Sequence, residues 1–267
     1  MTRVADRHKW NETFEWVPSA GPFTRLTPEQ AAAYDDQGFF VFEDAFDPDT
    51  ITKIREEIDP YEETSTEWLR SKGGSVMISD ADAITFTTHL VTKSPFLKEV
   101  CSTGVLADIA HDLIGTRVRL YWDQAVYKKP EKPRPFPWHQ DNGYAFVEPQ
   151  QYLTCWCALT DATERNGCPL VVPGLHKLGT LEHWWTDYGW QCVEDPAEIA
   201  VAEVKAGSIV VFSSLTPHQT GPNTTDAVRK AYIVQYAPEG AVISRDVKGE
   251  RVTETADDAD RQFRIDR

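Results

Sequence analysis

Trp138-His139-Gln140-Asp141 follows a proline-rich stretch and precedes Asn142-Gly143-Tyr144. In extended backbone, residues two apart point the same way, so His139 and Asp141 can face one point. Farther on, Pro217-His218-Gln219-Thr220 follows the apolar run Ile209–Phe212 and precedes another strand-like segment. Two imidazoles and a carboxylate on one side of a metal form the facial triad used by non-haem Fe(II) oxygenases. Three protein ligands leave three positions of an octahedron for cosubstrate and dioxygen; a fuller ligand set would block them. Arg229 stands eleven residues after His218, at the head of the strand-like Arg229–Tyr236. A hairpin return would bring it back toward the His218 side. A guanidinium keeps its charge and grips a carboxylate through two parallel hydrogen bonds, which suits the far end of a dicarboxylic cosubstrate.

Each piece alone is common, since HxD recurs by chance and an isolated histidine is usually structural. Their combination on strand ends of a β-rich half points to a metal site. Two rival chemistries use the same residues. A zinc hydrolase would pair the triad with an activated water, but would not require Arg229. A non-enzymatic binding module with vestigial ligands would be favoured by a missing ligand, and none is missing.

The elements that must position these residues are legible in part. Thr27-Pro28-Glu29-Gln30 places Thr at N-cap, Pro at N1 and Gln at N3 of a first helix, closed by Gly38. Phe39-Phe40-Val41-Phe42 reads as a short buried strand, and Asp47-Pro48-Asp49 caps a second helix to about Ile58. A third helical region runs from about Pro95 to Ile114, broken near Gly104. From Arg117 to Lys129 the texture turns to strand, followed by Tyr152–Leu159, Leu170–Val172, Ser208–Phe212 and Lys230–Tyr236. Helices first and strands afterwards suggest an α+β fold, mainly β, with helices supporting a sandwich or barrel. Beyond Arg245 the chain is dense in charge, and a solvated tail at 245–267 is expected.

Length and charge bound the function classes. The chain has 267 residues with 27 basic and 42 acidic side chains, a formal charge of −15. That suits one large domain or two small ones. No apolar run is long enough to span a bilayer, the first residues lack the apolar core of a secretory signal, and the acidic balance disfavours nucleic acid and anionic membranes. Five cysteines, at 101, 155, 157, 168 and 192, are too sparse for a disulfide scaffold and read as buried thiols. A cytoplasmic monomer or homodimer acting on a small molecule is the expectation.

In order along the chain, Leu26-Thr27-Pro28-Glu29-Gln30 through Gly38-Phe39-Phe40-Val41, Trp138-His139-Gln140-Asp141, Trp156-Cys157-Ala158-Leu159-Thr160-Asp161, Asn166-Gly167-Cys168-Pro169-Leu170-Val171-Val172-Pro173-Gly174, Ala206-Gly207-Ser208-Ile209-Val210-Val211-Phe212, Pro217-His218 and Pro222-Asn223 with Arg229 resemble the phytanoyl-CoA dioxygenase family of Fe(II)- and 2-oxoglutarate-dependent oxygenases. The match covers about 26–237. The resemblance implies one domain over 1–267 with a double-stranded β-helix (jelly-roll, cupin-like) core and supporting N-terminal helices. It implies Fe(II) held by His139, Asp141 and His218, and 2-oxoglutarate bound by Arg229 and Thr220, with Gln124 and Trp156 lining its pocket. It implies consumption of O2 and release of succinate and carbon dioxide, with hydroxylation as the default outcome. The carboxylate of Asp141 argues against halogenation, since related halogenases leave that place to a halide. Leu175 departs from the family's usual serine in the Pro-Gly-Ser-His turn.

Other residues carry weaker signals. Tyr144 and Phe146 directly follow the metal motif and are candidates for touching substrate at the mouth. His89, His111, His176 and His183 favour structural roles, although Thr87-Thr88-His89 falls where the family often approaches cosubstrate or substrate. The aromatic stretch from Leu178 to Trp190 could form a wall over the substrate, pack under a loop or make a dimer contact. The basic run Lys128–Arg134 reads as a solvated loop, or as a patch for an anionic substrate. Against a net charge of −15, a large polyanion such as a CoA thioester ranks below a neutral, cationic or smaller substrate.

Overall fold

A computed structural model describes residues 3–266. The N-terminal part builds helices on a β scaffold. Helix α1 (Pro28–Gln37) opens with the expected Thr27 capping box and ends at Gly38, whose φ of 87° is the left-handed turn that glycine adopts at least cost. Strand β1 (Phe39–Phe42) follows directly. Helix α2 (Pro48–Ser71) starts at Asp47, whose side chain accepts from the Thr50 amide. It continues past Ile58 and through Pro60, longer than the sequence signals.

An internal proline costs a helix about 3 kcal/mol, and the buried face of α2 explains why it continues. Ile51, Ile54, Ile58, Glu62, Thr66 and Leu69 recur at helical spacing on that face. Glu62 anchors the far half: its Oε1 accepts from Thr66 and Thr85 at 2.8 and 2.7 Å and pairs with Lys129 at 2.9 Å. Strand β2 (Ile84–Thr88) carries Thr85. Helices α3 (Pro95–Ser102) and α4 (Gly104–Ile114) break at Gly104, as expected.

The strands then assemble as β3 (Val118–Lys128), β4 (Phe136–His139), β5 (Phe146–Glu148), β6 (Leu153–Ala158), β7 (Pro169–Val171), β8 (Ile209–Ser213), β9 (His218–Thr220) and β10 (Arg229–Pro238). The large antiparallel sheet has the order β1–β8–β6–β10–β3–β2 and extends into two short strands near 75–80. A second sheet joins β7, β9 and β4. The period-two pattern divides the large sheet's side chains between two cores. Val210, Phe212, Trp156 and Ile233 face inward with Phe136 of the second sheet. Ile209, Val211, Cys155, Cys157 and Val234 face the helices with Ile51, Ile54 and Ile58. This is a double-stranded β-helix flanked by helices. All five cysteines are buried and unpaired.

The segment expected as a solvated tail is folded over residues 246–266, and Arg267 lies outside the described residues. Strands β11 (Val242–Val247) and β12 (Glu250–Thr255) form a hairpin, and β11 pairs with β5 immediately after the metal motif. Strand β13 (Arg264–Ile265) pairs with the start of β3 and buries Ile265 completely. Strand β12, with Glu250, Arg251 and Glu254, is exposed throughout. A few apolar anchors, Ile243, Ala256 and Ile265, hold the segment, too widely spaced to register as a periodic pattern.

Candidate metal and cosubstrate site

His139 ends β4 and His218 begins β9, and the two are directly paired across these strands. The Nδ1 atom of His139 lies 2.8 Å from the Pro137 carbonyl, and that of His218 lies 3.0 Å from the Thr216 carbonyl. A carbonyl only accepts, so each Nδ1 carries the proton and each Nε2 presents a lone pair. Both Nε2 atoms point at Asp141 Oδ1, at 3.7 and 3.8 Å. The three ligand atoms lie within 4.8 Å of one another, the one such cluster among the described residues. Burial, and then neighbouring His218, hold the His139 imidazole well below its ordinary pKa. A neutral imidazole is the form that binds a metal.

The intervening loop is locked from below. The buried Gln140 side chain donates to the carbonyls of Gly179 and Leu215 and accepts from the Leu181 amide. The Gln140 amide donates to His183 Nε2 at 3.0 Å, while His183 Nδ1 donates to Leu181 O at 2.9 Å. His183 is therefore a neutral prop, and burial lowers its pKa to about 4. This agrees with the structural reading of its type and gives that role a location.

Arg229 opens β10 and is 1% exposed. Its guanidinium lies 5.1 Å from the Trp156 ring, and Nη1 donates to the Val126 carbonyl at 3.3 Å. Nε and Nη2 are buried with no hydrogen-bond partner among the described residues. Leaving such donors unmet costs free energy, and burial alone pulls the Arg229 pKa down to about 9. The two open donors suit a carboxylate fork. Gln124, Trp156, Thr220 and Arg229 line one cavity with His139, Asp141 and His218.

Tyr144 packs beside the first ligand candidate, its ring 5.4 Å from that of His139, and is 39% exposed. The hairpin of Trp184–Thr186 and Gly189–Gln191 leans on it: a Cβ on Gly189 would stand 2.9 Å from the Tyr144 hydroxyl. The hairpin thus packs against Tyr144. Phe146 lies elsewhere. Strand alternation on β5 turns it to the N-terminal segment, where it stacks on His8 at 4.8 Å and meets Trp10 at 5.5 Å. Phe146 supports the loop and does not line the cavity.

The basic run is neither a loose loop nor a free patch. Lys129 and Lys132 pair with Glu62 and Asp80, and Arg134 donates to the Ile78 carbonyl. Lys128 is 1% exposed, its ammonium donating to the carbonyls of Arg134, Thr220 and Gly221. Sequence reasoning missed Lys128 because lysine heads seldom bury. It missed Thr154, whose hydroxyl lies 2.6 Å from Asp141 Oδ2, because that contact depends on strand register.

The phytanoyl-CoA dioxygenase family model matches residues 34–231. A probable phytanoyl-CoA dioxygenase from Caenorhabditis elegans is 30% identical over 54% of this chain, which spans about half that relative's length, 51%. An ectoine dioxygenase from Sphingopyxis alaskensis is 27% identical, covering 84% of this chain and 78% of the relative. Among solved structures, the non-haem α-ketoglutarate-dependent carbocyclase SnoK of nogalamycin biosynthesis is 25% identical with a TM-score of 0.67, covering 84% of this chain and 89% of that one. The EctD structure from S. alaskensis, with 2-oxoglutarate and 5-hydroxyectoine, has a TM-score of 0.64 at 23% identity, covering 90% and 84%. With the family model across most of its length, the chain belongs to the phytanoyl-CoA dioxygenase family of 2-oxoglutarate-dependent non-haem iron dioxygenases.

Proposed function

We propose that this dioxygenase holds Fe(II) through His139, Asp141 and His218, anchors 2-oxoglutarate on Arg229, and hydroxylates a small organic molecule that is not a CoA thioester. The observation that carries the reading is the pair of unmet guanidinium donors of Arg229 in the cavity that also contains the His–Asp–His cluster. A zinc hydrolase would leave that buried charge without purpose.

Iron and 2-oxoglutarate, once bound, supply the oxidising power that puts one oxygen atom of O2 on substrate and yields succinate and carbon dioxide. The protein's part is placement. The imidazoles, with protons fixed on Nδ1, offer Nε2 inward, and Asp141 offers Oδ1 between them. Arg229 receives the distal carboxylate of the cosubstrate, with Trp156 beside the guanidinium and Thr220 and Gln124 along the cavity wall. Phe136, Phe212 and Ile233 make the remaining wall apolar and keep water from the reacting centre. Tyr144, whose ring packs beside that of His139, is the candidate for meeting substrate.

A CoA thioester would need a cationic landing surface on a protein of charge −15. The run that could have supplied one buries Lys128 and pairs Lys129 and Lys132 with the carboxylates of Glu62 and Asp80. A smaller, neutral or cationic substrate fits this field better.

Anaerobic addition of Fe(II) and 2-oxoglutarate tests the site through a weak visible charge-transfer band. The band is expected in the wild type and lost in His139→Ala. No band, with tight zinc binding in its place, would overturn the reading. A substrate screen read by succinate release tests the second half. Turnover of acyl-CoA esters above small neutral or cationic compounds would overturn it.

A further inference from the structure

Asp141 uses its two oxygens differently. Oδ1 faces both imidazole Nε2 atoms at 3.7 and 3.8 Å. Oδ2 accepts a hydrogen bond from Thr154 Oγ1 at 2.6 Å, a short, charge-assisted contact. Thr154 lies on β6 directly opposite Gln235 of β10, and both are buried. The Gln235 amide Nε2 lies 3.2 Å from Thr154 Oγ1.

The direction of this chain follows from proton counting. A carboxylate only accepts, so the single hydroxyl proton of Thr154 goes to Asp141. Thr154 then has only lone pairs left, and Gln235 must present its NH2 group. Gln235 donates to Thr154, and Thr154 donates to Asp141. Reversing the amide would set a carbonyl against a hydroxyl with no proton to give.

We propose that Thr154, backed by Gln235, is a positioning residue that confines Asp141 to one metal-facing oxygen. The inference rests on the metal-site reading above. A carboxylate free to rotate could place both oxygens on the metal and take a position that cosubstrate or dioxygen needs. Tying Oδ2 to the sheet removes that option and fixes the ligand's angle. Partners behind a ligand typically change metal affinity by about 10–100-fold.

The test uses Thr154→Val, which keeps shape and removes the hydroxyl, with Thr154→Ser as the rescue. Gln235→Met, which keeps length and removes the amide, is the second probe. Fe(II) is titrated anaerobically into each metal-free protein, and the visible band is recorded with 2-oxoglutarate. Thr154→Val should weaken Fe(II) binding about 10-fold and shift the band, Thr154→Ser should return both to wild type, and Gln235→Met should move both the same way by less. The thermal midpoint of the metal-free protein should fall modestly in Thr154→Val, since buried Gln235 loses its acceptor, and the gain on adding Fe(II) should shrink in addition.

Wild-type affinity and band in Thr154→Val would overturn the proposal, as would a serine variant no better than valine. If Thr154→Val does not fold, an unchanged affinity and band in Gln235→Met overturns it. Absence of the band in the wild type would sink the metal-site reading. A normal wild-type band with unaltered variants sinks the positioning role alone.

Discussion

Arg229 and Lys128 oppose each other directly across β10 and β3, and both are 1% exposed. Neither forms an ion pair among the described residues. The Lys128 ammonium is held well below its ordinary pKa first by burial, then by the charges of Arg229 and Arg134. It is satisfied by three carbonyls, two of them from Thr220 and Gly221. Arg229 keeps Nε and Nη2 open. Two adjacent buried cations, one saturated and one not, make a socket for an anion, with Lys128 fixing the wall and Arg229 making the contact.

That division of labour separates two variants. Arg229→Met should lower 2-oxoglutarate affinity by about 100-fold, near the loss of about 2–5 kcal/mol for a buried charge contact, and leave Fe(II) binding in place. Lys128→Met should cost stability first, since three buried carbonyls lose their donor at about 1 kcal/mol each, with a smaller loss of 2-oxoglutarate affinity. Titration of the charge-transfer band and denaturant unfolding of each variant separate the effects. Equal 2-oxoglutarate losses in both would contradict the assignment.

Gly143 predicts a steric lock under the metal loop. A Cβ there would stand 2.1 Å from His183 Cε1. Because His183 is held by Gln140 and Leu181, it cannot swing away cheaply. Gly143→Ala should destabilise by about 1–3 kcal/mol, as overpacking does, and weaken Fe(II) binding by displacing Asp141. Adding His183→Ala opens the space, so the double variant should be more stable than the sum of the single losses implies. A double-mutant cycle measures this; strict additivity would refute it.

The His139–Asp141–His218 cluster was legible because its spacing and strand context are local. His139 and Asp141 lie two apart, and His218 follows an apolar strand. The alternating strands were legible for the same reason, as was the break at Gly104. What escaped depends on pairing between distant segments. Thr154 matters only because β6 lies beside β10 and under Asp141, and no local pattern encodes that. Lys128 and Glu62 look like solvent residues until the strand and helix that bury them are in place. Phe146 shows the converse, since nearness in sequence to the motif does not decide which way a strand residue turns. The folded C-terminus escaped because a few buried anchors among many charges outweigh composition.

Ile265 is one buried anchor of that C-terminal attachment. It is fully buried against the start of β3, beside a 2.8 Å bond from Arg119 Nε to the Gln262 carbonyl. Ile265→Ala should cost about 2–5 kcal/mol, the usual range for such a truncation. Local release of 258–266 should precede global unfolding, visible as faster amide exchange there. Wild-type exchange in the variant would show that the segment is held elsewhere.

His176 should make the metal-free protein acid-sensitive. Its Nε2 donates to the Asp35 carbonyl at 3.1 Å, its Nδ1 is buried without a partner, and Trp16 lies edge-on at 4.4 Å. Burial is the main cause that takes its pKa from 6.5 to about 4. The folded value is the lower one, so below pH 6.5 the unfolded chain takes up the proton first. The stability contributed by the neutral ring is therefore intact above pH 6.5 and drains away as pH falls toward 4. The interval corresponds to roughly 3 kcal/mol. His183 should act in the same window with the same sign, because its pKa is also about 4. His176→Gln keeps a donor for Asp35 and removes the titration. Denaturant midpoints between pH 7 and 4 should fall less steeply in this variant by about half the loss these two histidines cause together. A slope equal to that of the wild type would show that the His176 ring gains its proton without opening the fold.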